Sequence, residues 1–382
     1  MIYLKVMVNG EILLRKPSWP LSRKLTALVL ALTGLGVVMV ANATFVFAGQ
    51  KYGNPYLYLL RQTLWATFGF AAFIFAQKIQ LKNLRRFSRS ILLTALLLLV
   101  AVLLFGKEIN NARRWLALGP FSFQPSEFFK IAVIIYLSDF LDRKSGKMRD
   151  PRLSFAPPGL LIGLGMVLVL KEPDLGTIIL LAAVVILLYF TTGAPLKYLS
   201  IMAVTVLVGG GLMIWLEPFR RARLLAFLNP WRDTAGTSYH ISQSLIGVGN
   251  GGLFGVGLGQ GRQKLFYLPE GHTDFIFANI AEELGLFGST LFIALFFFLV
   301  HWGIQTAKRT PDRFQSLLAA GITALIGLQA LLHIGVVISL LPTKGITLPF
   351  ISYGGSSLLF TLFAAGLLVN IARNLPPEDF RV

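Results

Sequence analysis

Cysteine is absent from this 382-residue chain, which removes disulfides, thiolate metal sites and cysteine nucleophiles together. That absence says little about compartment. Charge is scarce as well: 14% of the residues are Asp, Glu, Lys or Arg, against about a quarter in soluble globular proteins. Acidic residues are the rarer kind, 17 against 35 basic ones, for a formal net charge of +18. Histidine occurs at 240, 272, 301 and 333, with no metal-ligand spacing such as HExxH. The apolar run after Arg23 and Lys24 is too long for the h-region of a cleavable signal, so it is expected to act as a signal anchor itself. Neither a strong internal repeat nor a low-complexity linker divides the sequence, and a single membrane domain over 1–382 is expected.

What fills the chain is apolar: 55% of it is hydrophobic and the mean hydropathy is +0.70. This composition predicts an all-α integral membrane protein. A bilayer core takes roughly 20 apolar residues of helix, and ten candidate spans follow, at about 25–48, 57–77, 90–105, 127–142, 157–171, 175–190, 196–216, 275–302, 316–341 and 356–372. Pro173 and Gly176 separate the fifth and sixth, which fits either a tight helical hairpin or two half-helices. In the N-terminal segment 1–24, two short runs flank Asn9-Gly10, a type I′ turn signal, and predict a small hairpin.

The basic residues gather in short loops between apolar runs, a placement that points to topology and anionic lipid rather than nucleic acid. With a cytoplasmic N-terminus, the inner loops receive Lys78, Lys82, Arg85, Arg86 and Arg89, then Arg143, Lys144, Lys147, Arg149 and Arg152, then Lys308, Arg309 and Arg313. Both termini are then cytoplasmic, and the long loop 217–273, between the seventh and eighth spans, is extracytoplasmic. Arg113, Arg114, Arg220, Arg221, Arg223, Arg232, Arg262 and Lys264 fall outside against this bias. Clustered guanidinium forks suit a phosphate-bearing ligand; ordinary solvated loop charge is the other account.

Chemistry is expected where the polar turn Leu268–Asp274 passes into the apolar eighth span. Glu270, His272 and Asp274 put two carboxylates and an imidazole within five positions there. A carboxylate at that boundary keeps contact with water while its neighbours enter lipid; an Asp at a helix start is also a common N-cap. Further on, Glu282 and Glu283 would lie roughly 12 Å along an ideal helix from Asp274 and on different faces, so at most one of them lines the same cavity. Pro125 suits a first helical turn, and Glu127 and Lys130 at i, i+3 form either a cavity-facing pair or a structural ion pair. Lys171–Thr177 reads as a charged turn between helices. The glycine series Gly247–Gly261 contains GxGxxG without a preceding strand, which excludes a nucleotide site; tight turns and close backbone approach remain. Gln243–Val248 is expected to be a short surface helix. Leu341–Ser357, carrying Lys344, Ser352 and Ser356, reads as a re-entrant loop beside a cavity, or as a packing turn.

With NARRWLALG and QPSE, EPDLGT, the NPW-x-D to QSL-x-x-x-G-x-GG segment, LPEGHTDFIFANIAEELG and LPFISYGGSS in that order, the chain resembles the SEDS family of peptidoglycan polymerases. LPTKGITLP and KLFYLPE look more like the FtsW-type cell-division branch than the RodA-type elongation branch; sporulation members are similar to the division type. The resemblance implies ten transmembrane helices in a bacterial cytoplasmic membrane, at the division septum. It implies transfer of a growing glycan from undecaprenyl diphosphate to another lipid II, with Asp274 as the catalytic carboxylate and Glu127 and Lys130 in its cavity. Arg113, Arg114, Arg220, Arg223, Glu270, His272, Lys344, Ser352 and Ser356 complete the expected substrate contacts. A class B penicillin-binding transpeptidase and other division proteins are the implied partners, with a divalent cation, Mg or Mn, as helper and no organic cofactor. Ser238-Tyr239-His240 departs from the more usual Gly-Tyr-Gln, and His333 stands where Asn is common. A lipid II flippase or transporter, and a non-catalytic division scaffold, are the competing functions.

Overall fold

The computed structural model describes residues 4–8, 11–15, 19–109, 112–119, 121–145 and 150–376. Strands β1 (Leu4–Val8) and β2 (Glu11–Arg15) pair antiparallel with Val8 opposite Glu11, as the hairpin pattern predicts; the Asn9-Gly10 turn lies outside the described residues. Helices α1 (Leu21–Tyr52) and α2 (Leu57–Lys78) follow, then the short α3 (Leu81–Arg86) and α4 (Ser88–Phe105). A three-stranded antiparallel sheet, β3 (Lys107–Ile109), β4 (Ala112–Leu118) and β5 (Phe121–Phe123), leads into α5 (Pro125–Arg143). Then come α6 (Pro151–Ser154), α7 (Ala156–Lys171), α8 (Leu175–Thr191) and α9 (Leu196–Leu216). The long loop holds α10 (Pro218–Leu228) and α11 (Tyr239–Gly251), and α12 (Ile276–Arg309), α13 (Arg313–Val337) and α14 (Gly355–Arg373) close the bundle.

A helix occupies each of the ten expected segments. Among the described residues, seven helices are long and apolar enough to cross a membrane by themselves, and α7 and α8 are shorter apolar helices. The exception in kind is α5. It carries Glu127, Lys130, Asp139, Asp142 and Arg143, and nearly all of it is buried among α4, α7, α8, α13 and α14. A helix wrapped by protein on all sides needs no lipid-facing stripe, so its polar groups can meet partners inside the bundle. At the other extreme, α9 buries only Leu199, packs on α8 and α10, and turns Leu207 and Val208 outward. The pattern is that of a multi-pass membrane protein.

Two departures from regular helix shape the site. Between α13 and α14 the backbone is irregular, yet Ile346, Leu348, Phe350 and Ile351 are buried within it. Such backbone survives at this depth because protein surrounds it and supplies hydrogen bonds. The second is Gly285, at φ 66 inside α12, a left-handed kink that packs against the backbone of Leu253–Gly255. The expected surface helix at 243–248 is the centre of the longer α11, which packs on α12.

Candidate active site

Asp274 does not cap a helix. The first turn of α12 begins at Ile276, its N-cap is Phe275, and no side chain there accepts a hydrogen bond from the helix. The turn before it is built by Glu270, which sits in the left-handed region at φ 55. Its carbonyl accepts from the N–H of Thr273 and of Phe275, and its carboxylate accepts from Thr273 Oγ1 at 2.7 Å. With the backbone donors taken by Glu270, the Asp274 carboxylate is left to lie against Gly345 of the α13–α14 loop.

The α13–α14 loop packs on the turn that carries Asp274. Ser352 Oγ donates to the Thr273 carbonyl at 2.7 Å and accepts from Leu348 N–H at 2.8 Å, while Tyr353 N–H donates to the His272 carbonyl at 3.0 Å. Gly345 lies so near that a Cβ there would stand 3.0 Å from an Asp274 carboxylate oxygen; any side chain would crowd the acid. Asp274 keeps a narrow opening to solvent, but enclosure by protein dominates and pushes its pKa up to about 7. The neighbouring charge of Glu270 adds to this. Arg223 opposes it, Asp174 raises it and Arg114 lowers it.

Arg114 and Arg223 therefore share Asp274's field, and each is placed by a different element. On β4, Arg114 reaches to the α7–α8 turn, where Nε donates to the Glu172 carbonyl at 2.6 Å and Nη2 to the Pro173 carbonyl at 2.9 Å. Arg223 comes from α10, where burial pulls its guanidinium pKa down and Asp274 counters that. Lys344 joins from the α13–α14 loop; burial lowers its pKa and Asp174 acts in the opposite sense. Two cations from two elements thus act on Asp274, while Lys344 acts on Asp174.

Other expected contacts lie elsewhere. Arg113 pairs with Glu108, its opposite number on β3, at 3.4 Å, because successive strand residues face opposite sides and Arg114 takes the inward one. Asn111 of the same motif is outside the described residues, as are Lys147 and Arg149. Arg220 pairs with Glu217 at 3.1 Å. His272 stands among Phe47, Tyr58 and Tyr353, and burial lowers its pKa. The hydroxyl of Ser356 donates to the Ser122 carbonyl and accepts from Gln124 N–H, so it ties β5 to the start of α14. Ser352 and Ser356 each join two segments distant in the chain.

Glu127 and Lys130 form a buried pair at 2.9 Å, and Pro125 opens α5 as expected. Lys130 also donates to Gln329 Oε1 at 3.1 Å, and Gln329 Nε2 donates to the Thr347 carbonyl at 3.0 Å. The pair thus reaches Asp274's neighbourhood through the α13–α14 loop. Glu282 and Glu283 turn away: Glu282 accepts from Gln263 N–H at 3.0 Å, and Glu283 accepts from Gly259 N–H, Asn42 Nδ2 and Lys264 Nζ.

Three residues that the sequence pattern did not single out as site residues belong here. Glu172 is fully buried with neither carboxylate oxygen hydrogen-bonded, and burial lifts its pKa to about 8. Asp174 accepts from Thr177 N–H at 3.0 Å, so the turn expected at Lys171–Thr177 is present, and its charge also reaches Asp274. His240 stacks on Phe275 with ring centroids 6.0 Å apart; partial burial and Arg223 lower its pKa. The signal for the first two was their place in the EPDLGT motif. Among the described residues, no group of three His, Asp or Glu side chains is arranged to hold a metal ion, so a cage made by protein alone does not fit.

Comparison with known proteins gives the lineage. The pattern of the family described as "Cell cycle protein" matches residues 23–376. The probable peptidoglycan glycosyltransferase FtsW of Geobacter metallireducens is 43% identical over 350 residues, covering 91% of this chain and 93% of the relative. The stage V sporulation protein E of Bacillus subtilis is 40% identical, covering 91% and 96%. Among solved structures, a chain from "Structural coordination of polymerization and crosslinking by a peptidoglycan synthase complex" superposes with a TM-score of 0.75 at 29% identity, covering 92% of this chain and 97% of that one. The rod shape determining protein RodA of Thermus thermophilus gives 0.68 at 27% identity, covering 93% and 97%. By sequence pattern, close relatives and fold together, the chain belongs to the FtsW, RodA and SpoVE family of cell cycle proteins.

Proposed function

We propose that the protein is a peptidoglycan glycosyltransferase that polymerises lipid II into glycan strands during cell division and releases undecaprenyl diphosphate. The observation that carries this is the state of Asp274: uncapped, enclosed, with its pKa raised to about 7 beside Arg114 and Arg223. A general base works best when its pKa lies near the working pH. In the reaction, a sugar hydroxyl of the acceptor gives its proton to Asp274, and its oxygen bonds to the anomeric carbon of the donor glycan. The bond from that carbon to the diphosphate breaks, and the electron pair leaves with undecaprenyl diphosphate. Arg114 and Arg223, the cations that act on Asp274, supply positive charge for that developing charge. Glu127 and Lys130 hold the loop behind Asp274, and the outward apolar faces of the helices take the lipid tails.

A magnesium or manganese ion, if the reaction uses one, would be held chiefly by the diphosphate with Asp274 or Glu270 adding a carboxylate, since such ions often bind through one or two carboxylates plus phosphates. The site belongs on the outer face of the cytoplasmic membrane at the septum, with both termini inside. A class B penicillin-binding transpeptidase and other division proteins are the partners this reading assigns, supported by the likeness to a chain of a peptidoglycan synthase complex.

The deciding measurement is glycan polymer from labelled lipid II with purified protein. A flippase or a scaffold makes none. Asp274→Asn keeps the shape and loses the proton acceptor, so polymer should fall by about 10²-fold or more while the protein still folds and binds its partner. Near-normal polymer from the Asn variant would remove Asp274 from the mechanism. Orientation is open to a separate check in this cysteine-free chain. An impermeant thiol reagent added outside should label Arg113→Cys and spare Arg86→Cys.

A further inference from the structure

At the far end of α5 from the Glu127 pair, a recess of about 410 Å³ opens between α3, α4 and α5. Eighteen residue steps of helix separate Pro125 from Arg143, or about 27 Å at 1.5 Å per residue, so this recess and the Asp274 site lie at opposite faces of the bundle. Its rim is basic: Lys82, Arg85, Arg86, Arg89 and Arg143 all line it. Its floor is Asp139, 4% exposed, which accepts from Ser88 Oγ at 2.6 Å. Asp139 also pairs with Arg143 at 2.8 Å and with Arg85 at 3.4 Å, and Arg85 pairs with Asp142 at 2.8 Å.

Two guanidiniums are thus held in fixed orientation by a buried carboxylate. Each uses Nε and Nη2 in these pairs, which leaves Nη1 clear of them. Five cations face two aspartates, a surplus of three. Among the described residues, no ion pair joins Lys82, Arg86 or Arg89 to a carboxylate. Charges that only set topology need no common target; here five of them, from three helices, converge on one concavity. Phe87, 53% exposed, sits beside it where α4 enters its apolar run, which puts the recess at the bilayer surface.

We propose that this recess binds a phosphate group, and that the group is the headgroup phosphate of an anionic lipid in the leaflet opposite the Asp274 face. The Nη1 groups that these pairs hold in place can donate to phosphate oxygens, and the exposed lysine and arginines on the rim add charge-assisted contacts and long-range attraction to an anionic leaflet. The site is separate from Asp274, so its test does not depend on the proposed reaction.

The test is native mass spectrometry of the full chain released from nanodiscs containing equal amounts of phosphatidylglycerol and phosphatidylcholine. Wild type should retain phosphatidylglycerol preferentially. A Lys82→Gln, Arg86→Gln, Arg89→Gln variant, which leaves the Asp139 floor intact, should lose about tenfold of that preference or more. A matched Lys308→Gln, Arg309→Gln, Arg313→Gln variant removes the same charge from the α12–α13 turn and should keep it. Equal retention by wild type and the recess variant would overturn the proposal, as would equal loss in the α12–α13 variant, which would mark a diffuse surface effect. Glycerol phosphate supplies the soluble arm: binding to lipid-free wild type only above millimolar concentration supports a lipid source, and binding at micromolar concentration would overturn the lipid assignment in favour of a soluble phosphate.

Discussion

Ser352 Oγ donates a 2.7 Å hydrogen bond to the carbonyl of Thr273, the residue immediately before Asp274. The same hydroxyl accepts from Leu348 N–H, so one side chain joins the α13–α14 loop to the turn that carries Asp274.

Loss of that hydroxyl should therefore act on catalysis through position. Ser352→Ala leaves a buried N–H and a carbonyl without their partner, a cost of about 1–3 kcal/mol. The expected outcome is a lower melting temperature in detergent and a several-fold drop in polymer formation, with the midpoint of its pH dependence unchanged. Substrate contact by the hydroxyl predicts the reverse: weaker lipid II binding at unchanged thermal stability.

The two adjacent arginines of β4 should separate sharply. Arg114 fastens the α7–α8 turn through two carbonyls and adds its charge to Asp274's surroundings, whereas Arg113 lies on the other side of the strand with Glu108. Arg114→Ala should cost at least about tenfold in polymer formation, in keeping with charged hydrogen bonds worth about 1.5–3 kcal/mol each. Arg113→Ala should stay within about twofold, since exposed ion pairs contribute little. Equal losses from the two would show that strand alternation does not decide which arginine serves the site.

These contrasts mark where sequence reasoning reached its limit. The membrane helices were legible because a bilayer demands long apolar runs, and even α5, with its internal charges, fell in the expected place. Asp274 was legible as a boundary carboxylate, but its release from capping was not. That depends on whether α12 starts at Asp274 or two residues later, and on Glu270 taking the left-handed conformation that claims the backbone donors. Adjacent arginines look like a cluster in the sequence, but in the strand β4 a period of two assigns Arg113 and Arg114 to opposite faces. Ser352 and Ser356 show the general difficulty. Their hydrogen-bond partners, Thr273 and Ser122, are distant in sequence, so the residue pattern alone does not reveal them. Glu172 looks like part of an ordinary charged turn between two helices, and its full burial is a tertiary fact.

Away from Asp274, Lys264 and Glu283 form a buried ion pair at 2.8 Å, with side chains 7% and 1% exposed. Asn42 of α1 bonds both partners, so the pair ties the end of the long loop to α1 and α12. Lys264→Met removes the cation and leaves Glu283 buried, which should destabilise the protein by about 3–5 kcal/mol. Adding Glu283→Gln should recover much of that loss in thermal melts. If the single and double variants melt alike, the pair is not what holds the loop.

The last prediction concerns how Asp274's proton affinity is set, because that affinity makes it useful as a base. Burial raises its pKa to about 7 and Arg223 acts against the rise, so Arg223 keeps the carboxylate available at neutral pH. Polymer formation needs the ionised form; it should climb as pH rises through about 7 and level off above. Arg223→Gln removes the opposing cation, so the pKa should rise further and the climb should move to higher pH. A rate lost at pH 7 should then be partly regained at pH 8 to 9. Arg220→Gln, whose cation is already committed to Glu217, should leave the midpoint where it is. The measurement is the pH profile of polymerisation of labelled lipid II by wild type and both variants, after a check that each stays folded across the range. A midpoint unmoved in Arg223→Gln would show that this arginine does not tune the base. A wild-type rate that falls as pH rises through 7 would show that the essential form of Asp274 is the protonated acid, and would reverse its role from base to proton donor.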